Sequence, residues 1–370
     1  MKTEGIDLIR KVEEKISSVR TRSLDLSFNE LLDMYLNDEL IINPDYQRLF
    51  RWSDGKQSRF IETLLLELPI PPIFVIEDSE GVYELIDGLQ RISSYLNFRG
   101  KLKKEEKLTL IDCDIVDELN GLTYEELPKP LEIKLKRNFI RVEILRKESD
   151  PRLRYYMFKR LNTGGEDLTE QEIRNSSIRL LDNGFNNILI TFSVNGDFQS
   201  TISNIAPEKK NEKYDQELAL RFLALKNQGE QYIKNVGDFL TNYMEFETEQ
   251  VIEGVYKEDE EKLTFEKTFK ILNKVMGGQV FAGLSQGGRP QNSFAVYHFE
   301  AFSIGIQESL GSINENNDSE ISALKKLFLE IKGNSDFKQL TTGGGKNTKR
   351  QFQARVNFVK EKVRILYESE

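Results

Sequence analysis

Residues 83–98, YELIDGLQRISSYLNF, change from the pattern of a buried strand to that of an amphipathic helix at Asp87–Gly88. A glycine at such a junction lets the backbone pass close to a ligand. The first turn of the following helix offers N–H groups and the positive end of the helix dipole. The stretch therefore requires a fold in which a strand runs directly into a helix, and this corner suits a phosphate group.

Three polar side chains at this corner are candidates for chemistry. Arg91 lies in the first turn of the helix, where a cation opposes the helix dipole, so its position makes sense if an anion shares the site. Asp87 can hold a magnesium-bound water, orient a nucleophilic water or pair with an arginine. The Gln90 amide can position water or a phosphate oxygen. The alternative is a simple turn in which Arg91 is a solvated helix residue.

A second stretch, INPDYQRLFRWS at residues 42–53, is polar and shows little regular periodicity. It places Asp45, Gln47 and Arg48 beside Tyr46 and Trp52. Loops that carry such groups on a rigid scaffold are favoured places for functional sites. The alternative is a surface loop in which the two aromatic residues are packing anchors.

A third stretch, FKRLNTGGEDLTEQEIRNS at residues 158–176, predicts a helix that ends at Asn162 and a tight turn at Gly164–Gly165. A capping box from Thr169 to Glu172 then starts the next helix. As pure structure this is a helix-loop-helix corner. The two glycines also permit the close approach of a ligand.

Composition excludes several classes of function. The chain has one cysteine and one histidine, too few for a structural zinc site, a disulfide framework, a Cys/His nucleophile pair or an HNH-type nuclease. A net charge of −9 argues against a generic basic nucleic-acid coat, although a local basic patch is compatible with it. The first 20 residues are amphipathic at helical spacing with no apolar leader, and no run of 18 apolar residues occurs. We therefore expect a cytoplasmic protein that neither spans a membrane nor is exported.

The length of 370 residues predicts two domains, and the pattern of elements changes along the chain. The first part mixes strands and helices. Helices are predicted in SFNELLDMYLNDEL, which Ser27 and Glu30 cap, in SDGKQSRFIETLLLELPIPP, in Leu89–Phe98, which Gly100 closes, and in DPRLRYYMFKRLN and LTEQEIRNSSIRLL. Strands are predicted in IFVIEDSEGVYELI and FIRVEIL. From about Leu181 the pattern becomes helical, in DQELALRFLALKN, VGDFLTNYMEF, LTFEKTFKILNKVM, SFAVYHFEAFSIGIQESL and ARVNFVKEKVRILY, with EGVYKEDEEK and GSINENNDSE as polar connectors. A domain boundary is expected near residue 182.

Other motifs favour structural roles. TTGGGKNTKR lacks the first glycine and the Ser/Thr of a P-loop, so it is interpreted as a flexible basic loop that contacts DNA phosphates through Lys346, Lys349 and Arg350. LEIKLK carries half of a nuclease signature, but a solvent-facing strand of alternating Glu and Lys is the favoured interpretation. His298, among aromatic residues, is expected in the core, and Cys113 is expected to be a small apolar packer.

Taken together, PDYQRLFRW, LPIPPIFV, YELIDGLQRISSYLNF and FKRLNTGGEDLTEQEIRN resemble the N-terminal domain of GmrSD-type restriction endonucleases. The family signature D-G-Q-Q-R stands here as Asp87-Gly88-Leu89-Gln90-Arg91, with leucine in place of one glutamine. The resemblance covers about residues 23–245. It implies an NTPase domain that senses modified DNA and licenses cleavage. Because an HNH domain is excluded, the chain resembles the sensor or NTPase half of such a system, with cutting done by a separate partner or not at all.

The same stretches are more remotely similar to the boxes of ParB-type CTPases, whose fold is shared with sulfiredoxin. In the third box, the acid of the ParB pattern falls on Leu161, and Asn162 is the polar residue that the resemblance leaves as a magnesium ligand. The ParB metal chemistry therefore does not carry over intact, and Asp87 and Asn162 are the candidate Mg²⁺ ligands.

The resulting prediction is an α+β protein with a ParB/sulfiredoxin-like nucleotide-binding domain at residues 1–182 and a helical domain at 183–370. It binds and hydrolyses a nucleoside triphosphate, with DNA, a partner nuclease and a second copy of itself as expected partners. The alternative is a non-catalytic DNA-binding regulatory module with a vestigial nucleotide site. Asp87, Arg91, Gln90 and Gln47 are the predicted catalytic residues, and nucleotide or phosphate binding is assigned to Asp45, Tyr46, Arg48, Gly88, Asn162, Thr163 and Gly164.

Overall fold

A computed structural model describes residues 21–42, 52–78, 80–102, 106–146, 149, 155–157, 160, 169–232, 235–285 and 287–368. The chain divides into two compact units, Met1–Leu168 and Thr169–Glu370. The sequence placed a boundary near residue 182 instead, so a helix that was assigned to the first domain lies in the second unit. The predicted helices at residues 1–20 and 151–162 fall largely or wholly outside the described residues.

The first unit is built on a five-stranded sheet of order β1-β5-β3-β4-β2. The strands are β1 (Thr21–Ser27), β2 (Leu40–Ile41), β3 (Ile73–Glu77), β4 (Tyr83–Asp87) and β5 (Phe139–Leu145). β3 and β4 form the predicted hairpin, while β5 runs parallel to β3 and β2 runs parallel to β4. β1 pairs antiparallel with β5. As a result, β1, β2 and β4 end at the same edge of the sheet, where β3 and β5 begin.

The helices that accompany the sheet include α1 (Phe28–Leu36), α2 (Asp54–Leu65), α3 (Leu89–Phe98) and α4 (Lys129–Arg137). The Ser27 hydroxyl caps α1 by accepting from Glu30 N at 3.1 Å, as the sequence predicted. Gly100 follows α3 with φ of 63°, which fits its predicted role at the end of that helix. The apolar faces of helices and strands share one core that includes Phe28, Ile61, Leu64, Ile73, Val75, Leu85, Leu96, Leu135 and Val142.

The LEIKLK stretch forms part of helix α4, so the prediction of a solvent-facing strand is wrong. Leu131 and Leu135 are four residues apart and pack against the core, as one face of a helix does. Glu132 lies within 3.0 Å of Lys129 and 3.9 Å of Lys136, which are helical neighbours. The alternation of Glu, Lys and apolar residues in this stretch is therefore compatible with a helix, because its two leucines lie on one helical face.

The second unit is helical, as predicted. Its helices are α5 (Glu170–Ile178), α6 (Gly184–Ser193), α7 (Gly196–Thr201), α8 (Pro207–Asn211), α9 (Tyr214–Gln228), α10 (Val236–Ile252), α11 (Glu258–Met276), α12 (Val296–Gly305), α13 (Asp318–Gly333), α14 (Ser335–Thr341) and α15 (Lys349–Glu368). The predicted capping box is present at α5, since Thr169 and Glu172 bond reciprocally. The α+β organisation of the prediction is confirmed by the sheet in the first unit and these helices in the second.

One predicted connector is partly helical. EGVYKEDEEK becomes α11 from Glu258 onward, and the first turn of that helix consists of Glu258, Asp259, Glu260 and Glu261. Acidic side chains at this position interact favourably with the helix dipole. The run of charge is therefore a helix start rather than only a solvated connector.

Buried ion pairs connect four helices of the second unit. The Glu300 carboxylate on α12 accepts from Arg221 Nη1 on α9 at 2.7 Å and from Arg355 Nε on α15 at 2.9 Å. Glu217 accepts from Arg221 at 3.1 Å and from Arg174 on α5 at 2.9 Å. Glu300 and Arg355 are fully buried, so this network fixes the relative positions of its helices at the cost of desolvating charge.

Among the described residues, no helix combines the length and the apolar character that crossing a membrane requires.

Candidate functional site

The strand-to-helix corner has the geometry that the sequence predicted. β4 ends at Asp87, Gly88 adopts a left-handed conformation with φ of 105° and ψ of 11°, and α3 begins at Leu89. A Cβ atom on Gly88 would lie 2.3 Å from Ile73 Cγ2, so packing as well as backbone conformation requires glycine. No side chain caps α3, because glycine is its N-cap residue. The first-turn N–H groups of this ten-residue helix are therefore not capped by a side chain.

Asp87, the last residue of β4, forms an ion pair with Arg91 in the first turn of α3. Arg91 Nη2 donates to Asp87 Oδ2 at 2.7 Å. Arg91 Nη1 also donates to the carbonyl oxygens of Pro71, at 2.7 Å, and Pro72, at 3.2 Å. The Arg91 side chain is only 12% exposed, whereas Asp87 is 37% exposed. Of the roles considered for Asp87, the structure shows the pairing with arginine, and Arg91 is not the solvated residue of a simple turn.

Gln90 connects α3 to the start of α2. Its Oε1 accepts from Trp52 N at 3.1 Å, while Gln57 Nε2 donates to Trp52 O at 2.9 Å. Asn97 Nδ2 in turn donates to Gln57 Oε1 at 2.9 Å. The three amide side chains are buried, so they hold Trp52 firmly beside the corner. Sequence reasoning missed Gln57 and Asn97. Each is a polar residue on the apolar face of its helix, and this position was the signal that could have identified it.

The residues predicted to bind nucleotide from the second and third stretches lie outside the described residues: Asp45, Tyr46, Gln47, Arg48, Asn162, Thr163 and Gly164. The flanks of the second stretch are described. β2 pairs parallel with β4 through Leu40–Tyr83 and Ile41–Glu84, so it ends at the edge of the sheet where Asp87 lies. On the other side, Trp52 is bonded to Gln90. Both flanks of the stretch therefore adjoin the corner.

The residues predicted to contact DNA lie in the second unit. Lys349 and Arg350 begin helix α15, so they are not part of a loop as the sequence predicted. Lys349 pairs with Glu230 at 3.3 Å, and Lys346 donates to the carbonyl oxygen of Gln339. Arg350 is exposed and has no ion pair among the described residues. Two of the three cations thus have partners within the protein.

His298 and Cys113 are buried, as predicted. Burial, together with the charge of Lys332, lowers the pKa of His298 to about 4, and its Nδ1 lies 3.1 Å from Ala282 O. Burial and the nearby Glu62 carboxylate raise the pKa of Cys113 to about 11. At neutral pH the imidazole is uncharged and the thiol is protonated, which suits packing rather than catalysis.

Within the ranges described above, no three Asp, Glu, His or Cys side chains come together as ligands for one ion. At the corner, Asp87 supplies one partly exposed carboxylate. Mg²⁺ in nucleotide sites is commonly held by one or two carboxylates plus substrate phosphates, so a single carboxylate fits a metal that arrives with a nucleotide.

The first unit is thus a mixed sheet-and-helix domain with a strand-glycine-helix corner at Asp87–Leu89. Residues 28–179 match the sequence model of the GmrSD restriction endonuclease N-terminal domain. This match confirms the resemblance seen in the sequence over residues 28–179. The match spans α1 through α5, including the Asp87–Arg91 corner, and leaves β1 outside. No curated protein and no solved structure matches the chain.

Proposed function

We propose that this protein is a nucleoside triphosphate-binding and hydrolysing component of a bacterial DNA restriction or phage-defence system. It senses DNA and licenses cleavage by a partner nuclease. The family match at residues 28–179 supports the restriction role. The observation that carries the nucleotide part is the corner itself, where an uncapped helix N-terminus, a left-handed glycine and a fixed arginine occur together.

Arg91 is the main positive charge of the proposed site. Its guanidinium is held by Asp87 and by the carbonyls of Pro71 and Pro72, so its position is set before any ligand arrives. Donors that are already oriented toward developing charge stabilise a transition state by about 3 to 4 kcal/mol each. Gly88 lets a phosphate approach the first turn of α3, and Arg91 stabilises its negative charge.

Asp87 has a second task in this proposal. One of its oxygens bonds Arg91 and the side chain is partly exposed, which leaves the carboxylate accessible to a water molecule or to the Mg²⁺ of a metal-nucleotide complex. When bound, the metal would supply charge neutralisation for the phosphates. Gln47 and Gln90 are proposed to assist Asp87, and Asn162 is proposed as a Mg²⁺ ligand by the remoter ParB-type resemblance.

Phosphate release from ATP, GTP, CTP and UTP in the presence of magnesium tests this proposal. The wild type is compared with Asp87→Asn, which keeps the size of the side chain, and with Arg91→Ala. Glu125→Gln is the matched control, because it breaks an exposed 2.7 Å pair with Lys107 elsewhere in the same unit.

We expect release by the wild type and the control, and a loss of about 100-fold or more in both corner variants, in line with the loss of one preorganised donor. Circular dichroism of each variant separates loss of activity from loss of fold. Hydrolysis by Asp87→Asn and Arg91→Ala at the wild-type rate would remove the corner from the reaction.

A non-catalytic DNA-binding module is the second candidate, and one observation favours it. Asp87, Arg91 and Gln90 already have partners within the protein, as side chains with a purely structural role do. In that case the wild type would release no phosphate. Duplex binding would then weaken steeply with salt, because phosphate contacts displace counterions, and the slope would be the same with and without nucleotide.

A further inference from the structure

The first unit contains a cavity that is separate from the Asp87–Arg91 corner. It has a volume of about 780 Å³ and lies at the edge of the sheet where β1 ends and β5 begins. One wall is the connection Glu67–Ile70 and the other is α4. None of Asp87, Gly88 and Arg91 lines it. Cavities of roughly 300 to 1,000 Å³ hold small organic ligands, so this volume is sufficient for a nucleotide.

The lining offers an exposed apolar surface. Phe139 is 61% exposed, Leu68 is 43% exposed and Ile133 is 39% exposed, although each is a large hydrophobic side chain. All three line the cavity. Any of the nucleic-acid bases can stack on an exposed aromatic ring of this kind, because every base has a π-face.

The charged groups of the lining leave one cation in excess. Arg141 makes two bonds to Asp25, at 3.0 and 3.1 Å, and Lys134 lies 3.6 Å from Glu67. Arg137 is exposed at the C-terminal end of α4 and has no ion pair or hydrogen bond with another described side chain. An arginine without an acidic partner, next to an exposed aromatic ring, matches the phosphate and base of one nucleotide.

We propose that this cavity binds one nucleotide of an unpaired DNA strand, with its base against Phe139 and its phosphate on Arg137. The inference rests on the DNA-sensing part of the proposed function and not on nucleotide hydrolysis. The Leu68–Pro72 stretch joins the two places, because Ile70 lines the cavity while Pro71 O accepts from Arg91. A strand bound in the cavity thus contacts the same stretch that orients Arg91.

Fluorescence anisotropy with the full chain tests the proposal. The probes are a labelled oligo-dT strand, the same strand with abasic sites spaced so that each way of placing it on the protein includes one, and a duplex of equal length. The variants are Phe139→Ala and Arg137→Gln. Ile115→Ala and Arg22→Gln are matched controls, because Ile115 is 62% exposed and both residues belong to the first unit but do not line the cavity.

We expect Phe139→Ala to bind the intact strand about tenfold more weakly, as the loss of one base-stacking contact predicts, and no better than it binds the abasic strand. Arg137→Gln should reduce the slope of log K against log salt by about 0.7, the value for one phosphate contact on a single strand. The two control variants should bind within about twofold of the wild type, since neither loses a stacking contact.

Three results would overturn the inference. The first is equal binding of intact and abasic strands by the wild type, or no binding at all. The second is equal affinity of Phe139→Ala and Ile115→Ala, which is the result expected if a protein segment occupies the cavity. The third is loss of phosphate release, but not of DNA binding, in Phe139→Ala, which would assign the cavity to the hydrolysed nucleotide. Phosphate release by Asp87→Asn tests the proposed function independently of all three.

Discussion

Replacing Gly88 with alanine measures how strongly the corner depends on its glycine. The left-handed backbone at φ of 105° costs an alanine about 1 to 2 kcal/mol. The new Cβ would also lie 2.3 Å from Ile73 Cγ2, in a side chain that is fully buried and unable to move away freely. Overpacking of a core costs about 1 to 3 kcal/mol. We therefore expect Gly88→Ala to lower the free energy of unfolding of the first unit by about 3 kcal/mol.

Gly81 provides the matched control. Its φ is 88°, but an added Cβ would meet no atom within 4 Å, so Gly81→Ala carries the backbone cost without the crowding. The chain has one tryptophan, Trp52, which packs edge-on against Phe60 in the same unit as both glycines. Urea denaturation followed by tryptophan fluorescence therefore reports on this unit. Equal destabilisation by the two substitutions would refute the claim that Ile73 crowds the corner.

Two further predictions concern the second unit. Glu300→Ala leaves Arg221 and Arg355 without their buried carboxylate, so we expect a loss of about 3 to 5 kcal/mol, against less than about 1 kcal/mol for Glu361→Ala at its exposed pair with Arg364. Thermal melting followed by circular dichroism compares the two variants, and similar melting temperatures would contradict the claim that the buried Glu300 pairs stabilise the second unit more than the exposed pair does. His298 has its pKa lowered by burial from 6.5 to about 4, so its contribution to stability is complete above pH 6.5 and falls as the pH decreases to about 4. The full difference is about 3 kcal/mol, and a stability profile of His298→Gln that declines as steeply as the wild type would refute this assignment.

Local sequence signals predicted the elements whose causes are local. The β3–β4 hairpin, the glycine corner, the Ser27 cap and the capping box at Thr169 depend on residues within about four positions of each other, which is the range of turn and capping signals. The LEIKLK stretch shows the limit. Its alternating pattern suits a strand, while Leu131 and Leu135 suit a helix, and packing of these two leucines on the core decides between them.

The contacts that define the site are mostly not local. Arg91 reaches Pro71 and Pro72 across a hairpin, and Trp52 meets Gln90 from 38 residues away. A single sequence contains the residue types of such contacts but not their pairing. The Asp87–Arg91 pair was accessible to sequence reasoning, because its members lie only four positions apart in the chain. The amide chain through Gln57 and Asn97 required the packing of α2 on α3 to be known.

The Asp87–Arg91 pair also constrains which ligand suits the corner. A bare phosphate would gain from Arg91 but would be repelled by the Asp87 carboxylate 2.7 Å from the same guanidinium. A ligand that carries both an anion and a cation satisfies the two side chains together, and it does not leave either charge unpaired in a partly buried site. A nucleoside triphosphate with its magnesium ion has this charge distribution. The proposed function therefore predicts that the corner binds a metal-nucleotide complex in preference to free phosphate.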